Sequence, residues 1–124
     1  MSKTRILIVE DENIIALDIR RTLIKLGYEP IATLSTGEMA IEVAKKEKPD
    51  LILMDINLKG HLNGVEAAEI IISENKIPVI FLSALDNVKN FPAAQMVNAS
   101  GHLLKPFEEC ELKQMLNKVC AKQV

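Results

Sequence analysis

A run of four apolar residues that leads directly into one carboxylate constrains the fold of this chain more than any other stretch. Leu51 to Met54 are all apolar, Asp55 follows at once, and Pro49-Asp50 come before them. A short apolar run bounded in this way is typical of a strand that is buried on both faces. Asp55 is then predicted at the carboxyl end of that strand, where open α/β sheets bind their ligands. A single Asp in such a position can equally cap a turn, so its partners must come from elsewhere in the chain.

Strand patterns alternate with helix patterns along the rest of the sequence. Four further strands are predicted at residues 5–9, 30–34, 78–82 and 102–104. Helices are predicted at residues 13–26, 35–46, 65–75, 92–99 and 108–122. The second of them is predicted to pack through Met39, Ala40, Val43 and Ala44. Five repeats of strand and helix predict an α/β fold, a doubly wound parallel sheet with right-handed crossovers and helices on both faces.

The composition is that of one globular domain. The chain has 124 residues, of which 48% are hydrophobic and 26% are charged, and these values are typical of a single folded unit. A net charge of −2 gives no electrostatic basis for binding nucleic acid or an anionic membrane. The sequence has no apolar run of membrane-spanning length and no recognisable signal peptide. We therefore expect a single cytoplasmic domain over residues 1–124, with no direct contact to nucleic acid or membrane.

Charged and polar residues follow four of the predicted strands at the point where each strand ends. They are Glu10, Asp11 and Glu12 after the first strand, Asp55 after the third, Ser83 after the fourth and Lys105 after the fifth. Because the carboxyl ends of parallel strands share one edge of the sheet, these side chains can converge. Clustered carboxylates repel each other unless a cation lies between them, and carboxylate, carbonyl and water oxygens are the ligands that Mg²⁺ takes. Mg²⁺ beside a lysine and a hydroxyl suits a phosphoryl group, which Asp55 can accept as an acyl phosphate.

The order of these residues resembles that of response-regulator receiver domains of two-component phosphorelays. The resemblance rests on the acidic pair after strand one, the Asp after strand three, Ser83-Ala84 after strand four and Lys105-Pro106 after strand five, and it covers essentially the whole chain. It implies a flavodoxin-like sheet with the strand order 2-1-3-4-5. It also implies a phosphorylation switch that receives its phosphoryl group from a sensor histidine kinase or a phosphotransfer protein. Such a domain catalyses only its own aspartyl phosphorylation and dephosphorylation, so we do not expect an enzyme in the ordinary sense.

The resemblance assigns the metal site and the phosphoacceptor residue by residue. Asp55 matches the phosphoacceptor, and Glu10 and Asp11 match the acidic pair that holds Mg²⁺ together with Asp55. Asn57 matches the position whose backbone carbonyl completes the metal site. The loop departs from the usual family pattern, because Lys59-Gly60 stands where a Pro is common and the following Gly64 comes one residue later than usual.

The resemblance also implies how the signal leaves the site. Ser83 matches the hydroxyl that closes on the phosphoryl group, and Lys105 matches the lysine that pairs with it. His102 stands three residues before Lys105, where the family usually has Tyr or Phe, and therefore takes the place of the switch residue. The surface formed by residues 92–99, the fifth strand and the last helix is then expected to bind a downstream protein, an attached output domain or a second copy of the chain.

Two other functions are compatible with parts of this pattern. The first is a phosphohydrolase with an Asp nucleophile, similar to haloacid-dehalogenase-like enzymes. Those enzymes need a second Asp two residues after the nucleophile as the general acid and base, and Asn57 stands at that position here. The second is a degenerate receiver that serves only as a docking module, and the complete set of site residues argues against it.

Overall fold

Strands and helices alternate as the sequence predicts, and all the strands run parallel. The computed structural model describes residues 3–84 and 99–121. The elements in these ranges are β1 Arg5–Val9, α1 Asn13–Lys25, β2 Glu29–Leu34, α2 Gly37–Glu47, β3 Leu51–Asp55, α3 Gly64–Asn75, β4 Val79–Ala84, β5 Gly101–Lys105 and α4 Glu109–Ala121. The strands form one sheet in the order β2-β1-β3-β4-β5, which confirms the predicted fold class. The short helix predicted at residues 92–99 falls almost wholly outside the described residues.

The central strand β3 has apolar partners on both faces, as its uninterrupted apolar run predicts. Ile52 and Met54 belong to the core under α2 and α3, whereas Leu51 and Leu53 belong to the core under α1 and α4. All five residues of β3 are buried. Because each buried Leu or Ile side chain stabilises the fold by about 1.5–3 kcal/mol, this strand fixes the centre of the sheet.

The turn from β3 into α3 depends on a glycine whose side-chain position is already occupied. A Cβ built on Gly64 would lie 1.8 Å from the carbonyl oxygen of Asp55, so only glycine fits there. Asn63 and Glu66 form a capping box at the start of the helix, in which Glu66 N donates to Asn63 Oδ1 and Asn63 N donates to Glu66 Oε1. The start of α3 is thus held directly against the carboxyl end of β3.

The predicted apolar face of α2 is wrong at one residue. Ala40 and Ala44 are fully buried, but the Met39 side chain is 46% exposed. Successive helix residues point about 100° apart, so a core contact centred on Ala40 and Ala44 turns Met39 toward solvent. The other predicted elements differ from the observed ones by a residue or two at their ends.

Among the described residues, no helix combines the length and the apolarity that crossing a membrane requires.

Candidate functional site

Two carboxylates are buried at the carboxyl edge of the sheet. Glu10 follows β1 and is 2% exposed, and Asp55 ends β3 and is 3% exposed. Backbone hydrogen bonds fix both strand ends, from Glu10 N to Leu34 O (2.8 Å) and from Ile56 N to Leu82 O (2.9 Å). The predicted convergence of these two acidic residues therefore follows from the parallel pairing of their strands.

Lys105, the last residue of β5, lies between the two carboxylates. Its Nζ is 2.5 Å from Glu10 Oε1 and 3.2 Å from Asp55 Oδ2, and its side chain is 13% exposed. The Lys105-Pro106 peptide bond is cis. Since a buried charge without a partner is strongly destabilising, this cation and the two anions depend on each other.

Burial and the close charges shift the pKa values in this cluster. Burial, reinforced by a hydrogen bond to Asp55, raises the pKa of Glu10 to about 7, although Lys105 acts in the opposite direction. Burial on its own would lower the pKa of Lys105. The hydrogen bond to Glu10 and the negative charges of Asp55 and Glu10 outweigh burial, so the pKa of Lys105 is raised and the ammonium keeps its proton.

The donor atoms at this edge fit a magnesium ion. Carboxylate oxygens of Glu10, Asp11 and Asp55 all lie within 4.8 Å of one another, the one such cluster found among the described residues. Mg²⁺ takes oxygen ligands and retains several waters, and half-buried Asp11 leaves the cluster open on the solvent side. Asn57 N donates to Asp55 Oδ1 at 3.1 Å, which brings the predicted carbonyl-bearing residue next to the same carboxylate.

An open cleft of about 530 Å³ leads from solvent to these groups. Its lining residues are Asp11, Glu12, Asp55, Asn57, Lys59, Ala84 and Lys105. Lys59 and Ala84 were not predicted to line the cleft. Their positions in the chain could have indicated it, because each follows a predicted site residue by one or two places.

Ser83 and His102 form a second polar pair, on the neighbouring strands β4 and β5. The Ser83 hydroxyl is fully buried and lies 2.7 Å from His102 Nε2. The imidazole also meets the Phe81 ring edge to face, with 6.2 Å between the ring centroids. Burial lowers the pKa of His102. Among the described residues Ser83 makes no hydrogen bond to Asp55 or Lys105, so the two predicted switch residues contact each other rather than the carboxylate cluster.

Comparison with known proteins places this geometry in a family. The family model described as the response regulator receiver domain matches residues 6–117. The chain belongs to the response-regulator receiver family. Receiver domains act in two-component signal transduction, which agrees with the predicted function.

Individual relatives are similar in sequence and in structure. The transcriptional regulatory protein PdtaR of Mycobacterium tuberculosis is 34% identical over 108 residues, which cover 87% of this chain and 52% of PdtaR. The signal receiver domain of a modulated diguanylate cyclase from Desulfovibrio desulfuricans superimposes with a TM-score of 0.91 at 34% identity, covering 98% of this chain and 97% of that one. The receiver domain of the sensor histidine kinase PA1611 from Pseudomonas aeruginosa, solved with a magnesium ion coordinated in its active-site cleft, gives a TM-score of 0.87 at 29% identity, with coverage of 97% and 99%. The chain spans about half the length of the curated relatives that it matches.

Proposed function

We propose that this receiver domain takes a phosphoryl group onto Asp55 from a sensor histidine kinase or a phosphotransfer protein. The observation that carries the proposal is the Asp55 carboxylate, which is buried at the floor of an open cleft and paired at 3.2 Å with a protonated lysine. A carboxylate held in this way is oriented by its partners and faces the cleft through which an electrophile would approach. Glu10 and Asp11 supply further negative charge beside it.

The transfer is a displacement at phosphorus. A carboxylate oxygen of Asp55 forms the new P–O bond while the P–N bond to the donor imidazole breaks, and the imidazole leaves with the electron pair. Glu10, Asp11, Asp55 and the Asn57 carbonyl would hold Mg²⁺, which when bound neutralises charge on the phosphoryl oxygens. Asn57 N, which donates to Asp55 Oδ1, orients the nucleophile.

Lys105 has a role before and after the transfer. Before it, the ammonium balances the charges of the buried Glu10 and Asp55 carboxylates. After it, the same ammonium donates to a phosphoryl oxygen. The residue two places after Asp55 is the amide Asn57, which cannot act as a general acid, and this supports a domain that processes only its own aspartyl phosphate rather than a phosphohydrolase of other substrates.

The phosphodonor protein is proposed to dock beside the cleft on the exposed side of α1. A groove of about 570 Å³ runs there and shares Glu12, Ala84 and Lys105 with the phosphoryl cleft. Two of the apolar side chains that line it are exposed to solvent, Ile14 by 84% and Leu17 by 45%. Because Asp55 lies at the bottom of the cleft, a donor must cover the mouth of the cleft, and this groove is continuous with that mouth.

The phosphorylation test uses acetyl phosphate with Mg²⁺ as a small donor. Wild-type protein is expected to gain the mass of one phosphoryl group, and Asp55→Asn is expected to gain none, because the amide keeps the shape of the side chain and removes the nucleophile. Asp18→Asn serves as the matched control, since it makes the same change at an exposed aspartate on α1. An equally stable adduct on the Asp55→Asn protein, or none on the wild type, would contradict the proposal.

The signal is proposed to leave the site through Ser83 and His102. Phosphorylation gives the Ser83 hydroxyl a new acceptor, and the hydroxyl now lies against His102 Nε2. Drawing Ser83 toward the phosphoryl group shifts His102 inward. That movement changes the surface formed by β5 and α4, which belongs to the region predicted to bind a downstream protein, an attached output domain or a second copy.

The relay is tested with Ser83→Ala and a beryllofluoride mimic of the phosphoryl group. Asp55 is expected to be phosphorylated much as in the wild type, but the NMR shift changes near His102 and Leu112 are expected to be lost. The same shift changes with and without the hydroxyl would exclude this path.

A further inference from the structure

The loop between β3 and α3 carries two residues into the phosphoryl cleft. Asn57 and Lys59 both line the cleft, and both lie in the stretch from Ile56 to Asn63. The two ends of this loop are fixed, because Ile56 N donates to Leu82 O and Gly64 N donates to Ile56 O. Asn57 is also held by Asp55 Oδ1, which accepts from its backbone N–H, so the path of the loop beyond Asn57, including Lys59, depends on what holds the middle of the loop.

The middle of the loop rests on the first turn of α2. Leu62 N donates to Glu38 Oε1 at 2.8 Å, although the two residues are 24 positions apart. Gly60 has φ +109°, and a Cβ there would lie 3.3 Å from Glu38 Oε2. The Glu38 carboxylate thus accepts from the backbone N–H of Leu62 and lies close to Gly60, which has no side chain.

Gly37, the residue before Glu38, also allows a close approach between the loop and α2. A Cβ on Gly37 would lie 3.2 Å from Leu62 O and 3.3 Å from Leu62 Cβ, so a glycine lets the loop come close to α2. Asp55 and Glu66 bind the two ends of the loop through Asn57 N and Asn63 N, whereas the Glu38 carboxylate binds it at Leu62 from α2, an element that does not adjoin the loop in the chain. Glu38 is exposed, and among the described residues it makes no other hydrogen bond or ion pair.

We propose that Glu38 is a positioning residue for the phosphorylation site: by binding Leu62 N it holds the loop that presents Asn57 and Lys59 to the magnesium and phosphoryl cleft. The inference rests on the proposed function and adds α2 to the elements that set the activity of the site. The acceptor oxygen of Glu38 lies 2.8 Å from Leu62 N, and this hydrogen bond restricts the conformations open to the loop.

Three variants separate the hydrogen bond from charge and from folding. Glu38→Ala removes the acceptor, Glu38→Gln keeps an amide oxygen in the same place, and Glu42→Ala removes the same charge one turn further along α2. Glu42 is exposed and makes no hydrogen bond or ion pair among the described residues. Mg²⁺ affinity is measured by calorimetry, the phosphorylation rate with acetyl phosphate, and folding by thermal unfolding.

Glu38→Ala is expected to weaken Mg²⁺ binding about fivefold, which is less than the tenfold or more that losing a direct hydrogen-bond partner of a metal ligand costs, because Glu38 acts through the loop. It is also expected to slow phosphorylation and to speed hydrogen exchange at the Leu62 amide. Glu38→Gln is expected to restore Mg²⁺ affinity and exchange to within about twofold of the wild type, and Glu42→Ala to leave both unchanged.

Two results would overturn the inference. The first is a Mg²⁺ affinity for Glu38→Ala equal to that of Glu42→Ala, and the second is a Glu38→Gln protein as weak as Glu38→Ala, which would assign the effect to charge. A wild-type protein that neither binds Mg²⁺ nor accepts a phosphoryl group would overturn the proposed function itself, and the inference with it. Normal wild-type activity that is insensitive to Glu38 overturns only the role of Glu38.

Discussion

Two clusters of charged residues lie at opposite edges of the same sheet, and they differ in their access to water. At the amino edge, Arg5 Nη2 is 3.3 Å from Glu47 Oε1, with side chains 34% and 47% exposed. At the carboxyl edge, the Glu10 and Lys105 side chains of the buried cluster are 0% and 13% exposed. Strand β1 contributes to both, with Arg5 at its start and Glu10 just past its end.

The difference in burial agrees with a structural role for the exposed cluster and with the reaction proposed for the buried one. Solvent-exposed ion pairs contribute little, because water and salt screen them. Arg5 also donates to Glu47 O and Asp50 Oδ2 accepts from Arg5 N, so this edge mainly ties the backbone together. The cluster at the carboxyl edge buries two carboxylates with a single ammonium, which is costly for stability and agrees with the proposal that these carboxylates receive a cation and a phosphoryl group.

The largest effect is expected from removing the cation of the buried cluster. Lys105→Met leaves Glu10 and Asp55 without their ammonium, and we expect the free energy of unfolding at pH 7 to fall by about 3 kcal/mol without Mg²⁺. Denaturant unfolding with and without Mg²⁺ checks this, since added Mg²⁺ should recover part of the loss. A Lys105→Met protein as stable as the wild type would mean that the cluster is not coupled as its distances suggest.

A smaller effect is expected from pH, and it follows from Glu10. The pKa of Glu10 is raised from 4.5 to about 7, so the folded state binds this proton more tightly than the unfolded state does. Its contribution to stability is therefore complete below pH 4.5 and is lost as the pH rises through 7. Water in the cleft moderates the effect, and we expect a loss of about 2 kcal/mol over this range in Mg²⁺-free protein. Unfolding of wild-type and Glu10→Gln proteins from pH 4.5 to 8 measures it, and an equal slope in both would contradict the assignment.

The smallest effect is expected at the exposed cluster, from the same change of a cation to methionine. Arg5→Met is expected to cost about 0.5 kcal/mol of stability, to be insensitive to Mg²⁺ and to leave phosphorylation of Asp55 unchanged. Denaturant unfolding run beside Lys105→Met tests the comparison directly. If Arg5→Met were as destabilising as Lys105→Met, burial would not be what separates the two edges.

The sequence predicted the elements well because each carries its own local signal. The apolar run from Leu51 to Met54 indicates a strand buried on both faces, and Thr36, a residue type favoured at helix N-caps, accepts a hydrogen bond from Met39 N at the start of α2. Since a parallel sheet brings its strand ends to one edge, the order of acidic and basic residues after the strands also predicted their convergence. The roles of these residues remain predictions until they are tested as described.

Only the tertiary structure decided which of the converging side chains contact each other. Lys105 Nζ bridges carboxylates 50 and 95 positions away, and the sequence gives no sign that Ser83 is hydrogen-bonded to His102 rather than to the cleft. The sequence also does not indicate that Glu38 binds Leu62 N, because a glutamate in the first turn of a helix usually serves to complement the helix dipole. Local patterns decide where strands and helices form, whereas the distance between two side chains depends on how the helices pack against the sheet, and no local pattern encodes that packing.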